Sequence, residues 1–224
     1  MILVLKMRIL GEEEVQYIKE KYFNRLVDDI PILYFTSQDC KLCDTVEQLL
    51  QDISEISNQK LKLKIMELQK IHMDILGVKR GPILLIGKYG EIRYTGAPIG
   101  EESWAFLEGI TLASNRRHGL EEYENDLSSL DRKVKIETIV TPNCPWCPHA
   151  CLEAHKVAVA SRGKVISDVV EAYEFPEIAE KYNVSAVPTI VLSVNGNYNG
   201  KVFMVGVPKL KDLIRGVMAL GIED

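Results

Sequence analysis

Apolar and polar residues recur in the same order in the two halves of the chain, which predicts an internal repeat. In the first half, a helical stretch from roughly Glu12 to Val27 precedes an apolar strand from Ile30 to Thr36, and another helix follows. In the second half, a helical stretch from Leu120 to Leu130 precedes an apolar strand from Val134 to Thr141, again followed by a helix. The two halves therefore begin with the same elements.

The repeat continues to the end of each half. A strand, a short helix, an X-Pro step into an apolar run and a Gly-x-Pro step before a last helix all occur twice. The matching segments are 61–68 and 164–173, 71–76 and 176–182, 81–86 and 187–192, and 96–98 and 206–208. Asn195-Gly196 predicts a hairpin turn after the second apolar run. A strand–helix–strand crossover with a closing hairpin predicts a mixed sheet with helices on both faces in each half.

The polar stretch from Asn115 to Gly119 separates the two halves. We therefore predict an α/β protein of two units, residues 1–118 and 119–224.

Composition and charge exclude several classes of protein. The chain has 224 residues, of which 46% are hydrophobic and 26% charged, as in globular proteins. Its net charge is -5 and its Lys and Arg residues are scattered, so no nucleic-acid surface is expected. No run approaches the roughly 18 apolar residues of a membrane span. Lys6 and Arg8 interrupt the apolar first ten residues and no cleavage site follows, so we expect a cytoplasmic protein whose opening segment adds a strand or helix.

The cysteines carry the candidate chemistry. Five cysteines are too few for a disulfide-stapled secreted scaffold. Four of them form two CxxC pairs, Cys40 with Cys43 and Cys144 with Cys147, at an offset of 104 residues. Each pair is predicted to open a helix, with the second cysteine on the buried stripe and the first one more exposed.

A thiol at a helix N-terminus is stabilised as thiolate, which lowers its pKa from about 8.5 into a range of about 3.5 to 7.5. Cys40 and Cys144 are therefore candidate nucleophiles, and the second cysteine of each pair is placed to attack a mixed disulfide. The intervening residues are expected to tune the two sites. In the first pair these residues are Lys41, which adds positive charge beside Cys40, and Leu42.

The second pair has a stiffer and more apolar mouth, formed by Pro145 and Trp146. Pro145 suits the first helical turn, and Trp146 is interpreted as a substrate contact at the exposed helix tip.

Alternative interpretations of these residues remain. Two CxxC pairs can bind zinc, although zinc ribbons space their pairs by about 15 to 20 residues. An iron–sulfur site formed by Cys144, Cys147 and Cys151 lacks a fourth cysteine at the usual sequence spacing. Cys151 is interpreted as a small buried hydrophobe, with a third exchanging thiol as the alternative. His149 and His155 are interpreted as helix-surface histidines.

A CxxC pair that opens a helix after a strand, followed by an X-Pro strand, resembles the thioredoxin fold. The doubled order, with Cys40-Lys41-Leu42-Cys43 and a glutaredoxin-like Cys144-Pro145-Trp146-Cys147, resembles the protein disulfide oxidoreductases of thermophilic archaea and bacteria. This resemblance covers nearly the whole chain beyond the first ten residues.

The resemblance implies two thioredoxin-fold units that reduce, form or isomerise disulfides of intracellular proteins. It implies redox-active disulfides with no bound cofactor or metal, and a flavoprotein of the thioredoxin reductase type as electron donor. Cys40 and Cys144 are then the attacking thiols, and Cys43 and Cys147 the resolving ones. Pro82 and Pro188 are implied as cis prolines, and Gly81 and Val187 before them as backbone partners of a substrate strand.

Three departures from the family pattern stand out. Thioredoxins usually keep a buried carboxylate six residues before the first cysteine, where this chain has Tyr34 and Thr138. Gly81 stands where family members tend to carry a side chain, which indicates a weaker substrate site or a partner-facing relay in the first unit.

The alternatives to a general oxidoreductase are an electron relay for a single peroxidase-type or reductase partner and a metal-binding module.

Overall fold

A computed structural model describes residues 9–194 and 200–222. The extension predicted over the first ten residues lies almost wholly outside the described residues, and the predicted Asn195-Gly196 turn lies outside them. Among the helices of the described part, none is long and apolar enough to cross a membrane.

The described chain forms eight helices and eight strands. The helices are α1 (Glu12–Lys21), α2 (Cys43–Ile56), α3 (Lys70–Leu76), α4 (Glu102–Asn115), α5 (Glu124–Ser128), α6 (Cys147–Ala160), α7 (Pro176–Lys181) and α8 (Leu210–Gly221). The strands are β1 (Ile30–Thr36), β2 (Leu61–Glu67), β3 (Ile83–Ile86), β4 (Ile92–Thr95), β5 (Val134–Val140), β6 (Val165–Glu171), β7 (Thr189–Val194) and β8 (Lys201–Val205).

The leading helix of each half is shorter than its pattern predicted. α1 ends at Lys21 and a single 3-10 turn, Phe23–Arg25, follows it. α5 has only five residues, and the Ser128 and Ser129 hydroxyls donate to the Asn125 carbonyl at its end. Such local side-chain bonds compete with continuation of a helix.

All eight strands join in one mixed sheet, in the order β2-β1-β3-β4-β6-β5-β7-β8. Each half contributes four strands with the same internal order, because the crossover strand lies outside the first strand and the hairpin lies on its other side. Strands β4 and β6 pair in parallel, from Ile92 opposite Ser167 to Thr95 opposite Val170, and so join the halves. The predicted two-unit α/β fold with mixed sheets is confirmed, and the sheet is continuous between the units.

The two halves also share a hydrophobic core. Tyr94 and Phe106 from the first half belong to the same buried cluster as Cys147, Cys151 and Val169 from the second. α4 packs against α6 across the junction. The predicted boundary at residue 118 lies after α4, so the helix that ends the first unit covers the CxxC helix of the second.

Candidate functional sites

Both CxxC pairs are disulfides. The Cα atoms of Cys40 and Cys43 lie 5.4 Å apart, and those of Cys144 and Cys147 lie 5.5 Å apart. We call them the first and second sites. The redox-active disulfides expected from the sequence are therefore formed.

In both sites the helix begins at the second cysteine, so the first cysteine lies in the loop just before it. Cys43 is 3% exposed and Cys147 is fully buried, as the helical stripe predicted. Cys40 is half-buried, whereas Cys144 is only 8% exposed. Cys144 is thus the more buried of the two first cysteines, and it lies two residues before the exposed Trp146.

The N-terminus of α6 contacts the Cys144 sulfur directly. The backbone N–H of Cys147 donates to Cys144 Sγ at 3.2 Å. A hydrogen bond from a helix N-terminus favours the thiolate over the thiol. The proline of the first helical turn is Pro148, not the predicted Pro145, which lies exposed in the preceding loop.

Each site faces an X-Pro bond, and both bonds, Gly81-Pro82 and Val187-Pro188, are cis. The two residues before the prolines differ in their surroundings. Gly81 is buried and its N–H donates to Ser37 Oγ at 2.9 Å. Val187 is half-buried, and nothing in the described part of the chain accepts its N–H.

Gly81 is glycine because there is no room for a side chain. A Cβ there lies 2.8 Å from the Phe35 carbonyl oxygen and 3.3 Å from Cys43 Sγ. The first of these contacts is closer than real Cβ atoms make and the second is tight, so the position before the first cis proline is closed to a side chain.

Residues of the second unit cover the mouth of the first site. A cleft of about 450 Å³ at Cys40 and Lys41 is lined on its other side by Tyr173, Glu174 and Pro176, from the segment between β6 and α7. The first site is therefore built from both units.

Arg80 connects the first unit to the segment between β6 and α7 of the second. Its guanidinium donates to the Glu174 carbonyl, forms an ion pair with Glu177 at 2.9 Å and lies 4.7 Å from the centre of the Phe175 ring. The Glu174 carboxylate accepts the N–H of Ala97 at 2.7 Å. The loop that carries the first cis proline is thus held by the second unit.

A groove of about 600 Å³ lies beside the second site, lined mainly by apolar residues and also by His149 and Glu153. Trp146, which is 66% exposed, forms one wall, and Val187, Pro188 and the segment 205–207 form the other. Val205 and Val207 are 54% and 38% exposed. Trp146 is therefore exposed just before the start of α6, as the sequence interpretation placed it, and it lines this groove.

The two histidines of α6 have different environments. His149 is exposed, and its ring packs edge-on against Trp104 of α4 at 5.2 Å between centroids. The interpretation of His155 as a surface residue is wrong. His155 is fully buried between the Tyr94 hydroxyl and Ser167, and burial lowers its pKa to about 3.

Sequence reasoning missed a buried carboxyl beside the second site. The Cys151 thiol donates to Oε2 of Glu102, the first residue of α4, at 3.3 Å. Glu102 is 1% exposed, and burial raises its pKa to about 7. Cys151 is therefore buried as expected, but it is also hydrogen-bonded. Nothing in the sequence connects these residues, because they lie 49 positions apart and in different repeats.

The comparisons with known proteins agree with this geometry. Residues 133–218 match the family model described as thioredoxin domain. The chain is 35% identical over 85 residues to a thioredoxin of Methanocaldococcus jannaschii, which spans 93% of that protein and 38% of this chain. It is also 32% identical to a protein disulfide oxidoreductase from Aeropyrum pernix, with a TM-score of 0.81 over 93% of this chain and 92% of the other.

The chain belongs to the thioredoxin-fold protein disulfide oxidoreductase family. It is an oxidoreductase of the thiol–disulfide exchange type, with two CxxC sites.

A further structural neighbour has a similar fold. The alkylhydroperoxide reductase component AhpF from Enterococcus faecalis superposes with a TM-score of 0.78 at 19% identity, over 93% of this chain and 99% of the other. At this identity the likeness concerns the fold alone.

Across residues 9–194 and 200–222, no three His, Cys, Asp or Glu side chains are grouped as ligands for a metal ion. The functional groups of this oxidoreductase are the cysteine pairs themselves.

Proposed function

We propose that this oxidoreductase exchanges disulfides of other proteins at its second site, with Cys144 as the attacking thiol and Cys147 as the resolving thiol. The observation that carries the proposal is the position of the Cys144–Cys147 pair, beside an open apolar groove and a cis proline whose preceding N–H is free in the described chain. Cys40 and Cys43 have the same respective roles at the first site.

The exchange proceeds in two steps. The Cys144 thiolate attacks one sulfur of a substrate disulfide, forms a mixed disulfide and releases the other sulfur as thiolate. Cys147 then loses its proton and attacks Cys144, which forms the intramolecular disulfide and releases the reduced substrate. The protein loses two electrons and the substrate gains them; the reverse sequence forms a substrate disulfide.

The groove of the second site suits an extended substrate strand. The free N–H of Val187 donates to a backbone carbonyl of such a strand, as in recognition by strand addition. Its apolar walls, Trp146 and Val205, contact the side chains next to the substrate cysteine. Substrates are therefore proteins with disulfides in exposed or partly unfolded apolar segments.

The first site suits a folded partner. The Gly81 N–H is already bound to Ser37, so no free donor stands beside that cis proline for a substrate strand. The exposed Lys41 and Tyr173 instead present a surface drawn from both units. We propose that a flavoprotein of the thioredoxin reductase type delivers electrons here.

Two further expectations belong to the same proposal. The chain comprises functional units 1–118 and 119–224, each with one CxxC site, supported by the repeated strand order. The protein works in the cytoplasm, where a reductase keeps its cysteines supplied with electrons.

Single-site variants of the full chain test the division of labour. Cys144→Ser with Cys147→Ser is expected to remove nearly all reduction of insulin disulfides by dithiothreitol. Cys40→Ser with Cys43→Ser is expected to retain most of it, since dithiothreitol is small enough to reduce the second site directly. Retention of full activity by the first double variant, with loss in the second, contradicts the assignment.

A further inference from the structure

The two CxxC sites lie at the same edge of the sheet. Each follows the carboxyl end of a strand, β1 at the first site and β5 at the second. Strand β1 is antiparallel to β3, β3 is antiparallel to β4, and β4, β6 and β5 are parallel to one another. Because β1 and β5 therefore point in the same direction, both sites open on the same side of the molecule.

The sites are too far apart to react with each other within one molecule. Strands β3, β4 and β6 lie between β1 and β5, which places β1 and β5 about 19 Å apart at the usual spacing of neighbouring strands. In a thiol–disulfide exchange, the attacking sulfur must contact the sulfur that it attacks. Electrons that enter at the first site thus have no direct route to the second.

Contacts between the units oppose a hinge motion that would close this gap. Strands β4 and β6 pair across the junction. Beside the first site, Arg80 forms an ion pair with Glu177 of the second unit at 2.9 Å. Beside the second site, the Glu101 N–H of the first unit donates to the Pro142 carbonyl at 2.9 Å. The loop of each site is therefore tied to the other unit, and the shared sheet sets their separation.

We infer that electrons pass from the first site of one copy of this chain to the second site of another copy, through a mixed disulfide between Cys40 and Cys144. This inference rests on the proposed division of roles between the two sites. Cys43 is 3% exposed and Cys147 is fully buried, so the first cysteine of each pair is the one that another molecule reaches.

The transfer takes two balanced steps. The Cys40 thiolate attacks Cys144 of the other copy, the Cys144–Cys147 bond breaks, and Cys147 leaves as thiolate and gains a proton. Cys43 then loses a proton and attacks Cys40, and Cys144 leaves as thiolate. The first site loses two electrons and the second site of the other copy gains them, with one proton lost and one gained.

The common edge makes the chain self-complementary for this reaction. When two copies face each other edge to edge, a two-fold axis perpendicular to their sheets places the first site of each copy opposite the second site of the other. Such a contact is isologous, so both pairs of sites meet in one encounter. A second copy therefore presents the required site at the required place.

The surfaces around the two sites also suit each other. The first site presents Tyr173, which is 71% exposed, and the exposed Lys41. The second site presents the groove beside Trp146, with Glu153 on its α6 side. An aromatic ring suits this mainly apolar groove, and Lys41 has the opposite charge to Glu153. Because Glu153 already pairs with Lys156 at 2.8 Å, we assign the main anchoring role to Tyr173.

The first test mixes two full-chain variants that each keep one site. Cys144→Ser with Cys147→Ser keeps the first site, and Cys40→Ser with Cys43→Ser keeps the second. Each variant is mixed in reduced form with the oxidised form of the other, so that one of the two mixtures reacts in the favourable direction. After an acid quench and alkylation, mass spectrometry of the cysteine peptides gives the redox state of each site.

We expect transfer between the two variants at a rate proportional to the concentration of the variant in excess. Tyr173→Ala in the first-site variant is expected to slow this transfer about ten-fold, because an interface anchor is lost. Tyr89→Ala is the matched control, since Tyr89 is 49% exposed in the turn between β3 and β4, at the opposite edge of the sheet. Absence of transfer in both mixtures overturns the inference, and equal rates in the two tyrosine variants overturn the assigned surface.

The second test asks whether the mixed disulfide forms between copies or within one. The full chain with Cys43→Ser and Cys147→Ser keeps Cys40 and Cys144 and is oxidised with an aryl disulfide. Covalent dimers linked from Cys40 to Cys144 are expected, in a larger share than random collisions give. A monomer with an internal Cys40–Cys144 disulfide, or a random distribution of links, overturns the inference.

Two further measurements keep these outcomes distinct. Where a serine variant does not fold, the corresponding alanine variant replaces it. Reduction of insulin disulfides by dithiothreitol with the second-site variant tests the proposed function alone. Loss of that activity contradicts the proposed role of Cys144, whereas retained activity without transfer between copies contradicts only the inference drawn here.

Discussion

The two CxxC sites have the same backbone plan but different surroundings at the residue before the cis proline. At the first site the residue before the cis proline is buried, its N–H is bound to Ser37, and the second unit covers the mouth. At the second site that residue, Val187, lines an open groove. The two copies of the fold therefore have different surfaces around their CxxC sites, because each copy has a different neighbour along the shared sheet.

The units also support each other's sites in different ways. The second unit gives the first site an outer wall through Tyr173 and Glu174. The first unit gives the second site a buried carboxyl through Glu102. At the matching position to Cys151 the first unit has Glu47, which is half-exposed, and Tyr34 donates to the Cys43 carbonyl. The buried hydrogen bond between a thiol and a carboxyl is therefore a feature of the second CxxC helix.

The largest expected effect comes from a valine at position 81 of the first site, since valine precedes the cis proline of the second site. Gly81→Val puts a side chain against the Phe35 carbonyl and Cys43, and overpacking of this kind costs about 1 to 3 kcal/mol. We expect the variant to lose about that much unfolding free energy in urea titrations and to slow reduction of the first site.

The control for this variant is Gly11→Val. Gly11 has a φ of -71°, and a Cβ there lies no closer than 3.4 Å to Glu14 Oε2, an ordinary van der Waals contact. Equal losses of unfolding free energy in the two variants contradict the account of crowding at residue 81.

The expected effect of intermediate size concerns the free energy of unfolding at acid pH. It arises in the core beneath the second site, where His155 is buried. The pKa of His155 is lowered by burial to about 3, below its unfolded value of about 6.5, so the native state stays neutral while the unfolded state binds a proton. Stability is therefore lost as pH falls below about 6.5. At pH 5 the cost from this group is about 2 kcal/mol.

His155→Gln tests this assignment, because Gln keeps donor and acceptor groups for Tyr94 and Ser167 without titrating. The difference in unfolding free energy between pH 7 and pH 5 is expected to shrink by about 2 kcal/mol. His149→Gln, at an exposed position, should leave that difference as it is. An unchanged difference in His155→Gln places the acid sensitivity elsewhere.

The smallest expected effect concerns substrate binding at the open site. Val187→Gly removes a half-buried wall of the groove and is expected to cost about 1 kcal/mol of binding, or about a five-fold rise in KM for insulin. Because the contact acts in both the bound and transition states, kcat should change little. Val27→Gly, an exposed position in the first unit, is the control. A fall in kcat without a rise in KM contradicts a docking role.

The sequence alone determined the repeat, the order of elements and the positions of both cysteine pairs. These follow from local causes: apolar periodicity sets strands and helices, and a CxxC pair between them marks a helix start. The segment 30–36, predicted as a strand, is a strand to the residue. The predicted helix start was three residues too early in each unit. Cys40 and Cys144 lie in loops, and the helices begin at Cys43 and Cys147.

Only the tertiary structure decided how the two units differ. Pairing of β4 with β6 brings α4 against α6 and the segment 171–177 against Arg80, contacts between residues that are distant in sequence. The burial of His155 and the bond between Cys151 and Glu102 arise from that junction. Local pattern specifies each unit because its interactions are short-range, whereas the character of each site depends on which surface the neighbouring unit covers.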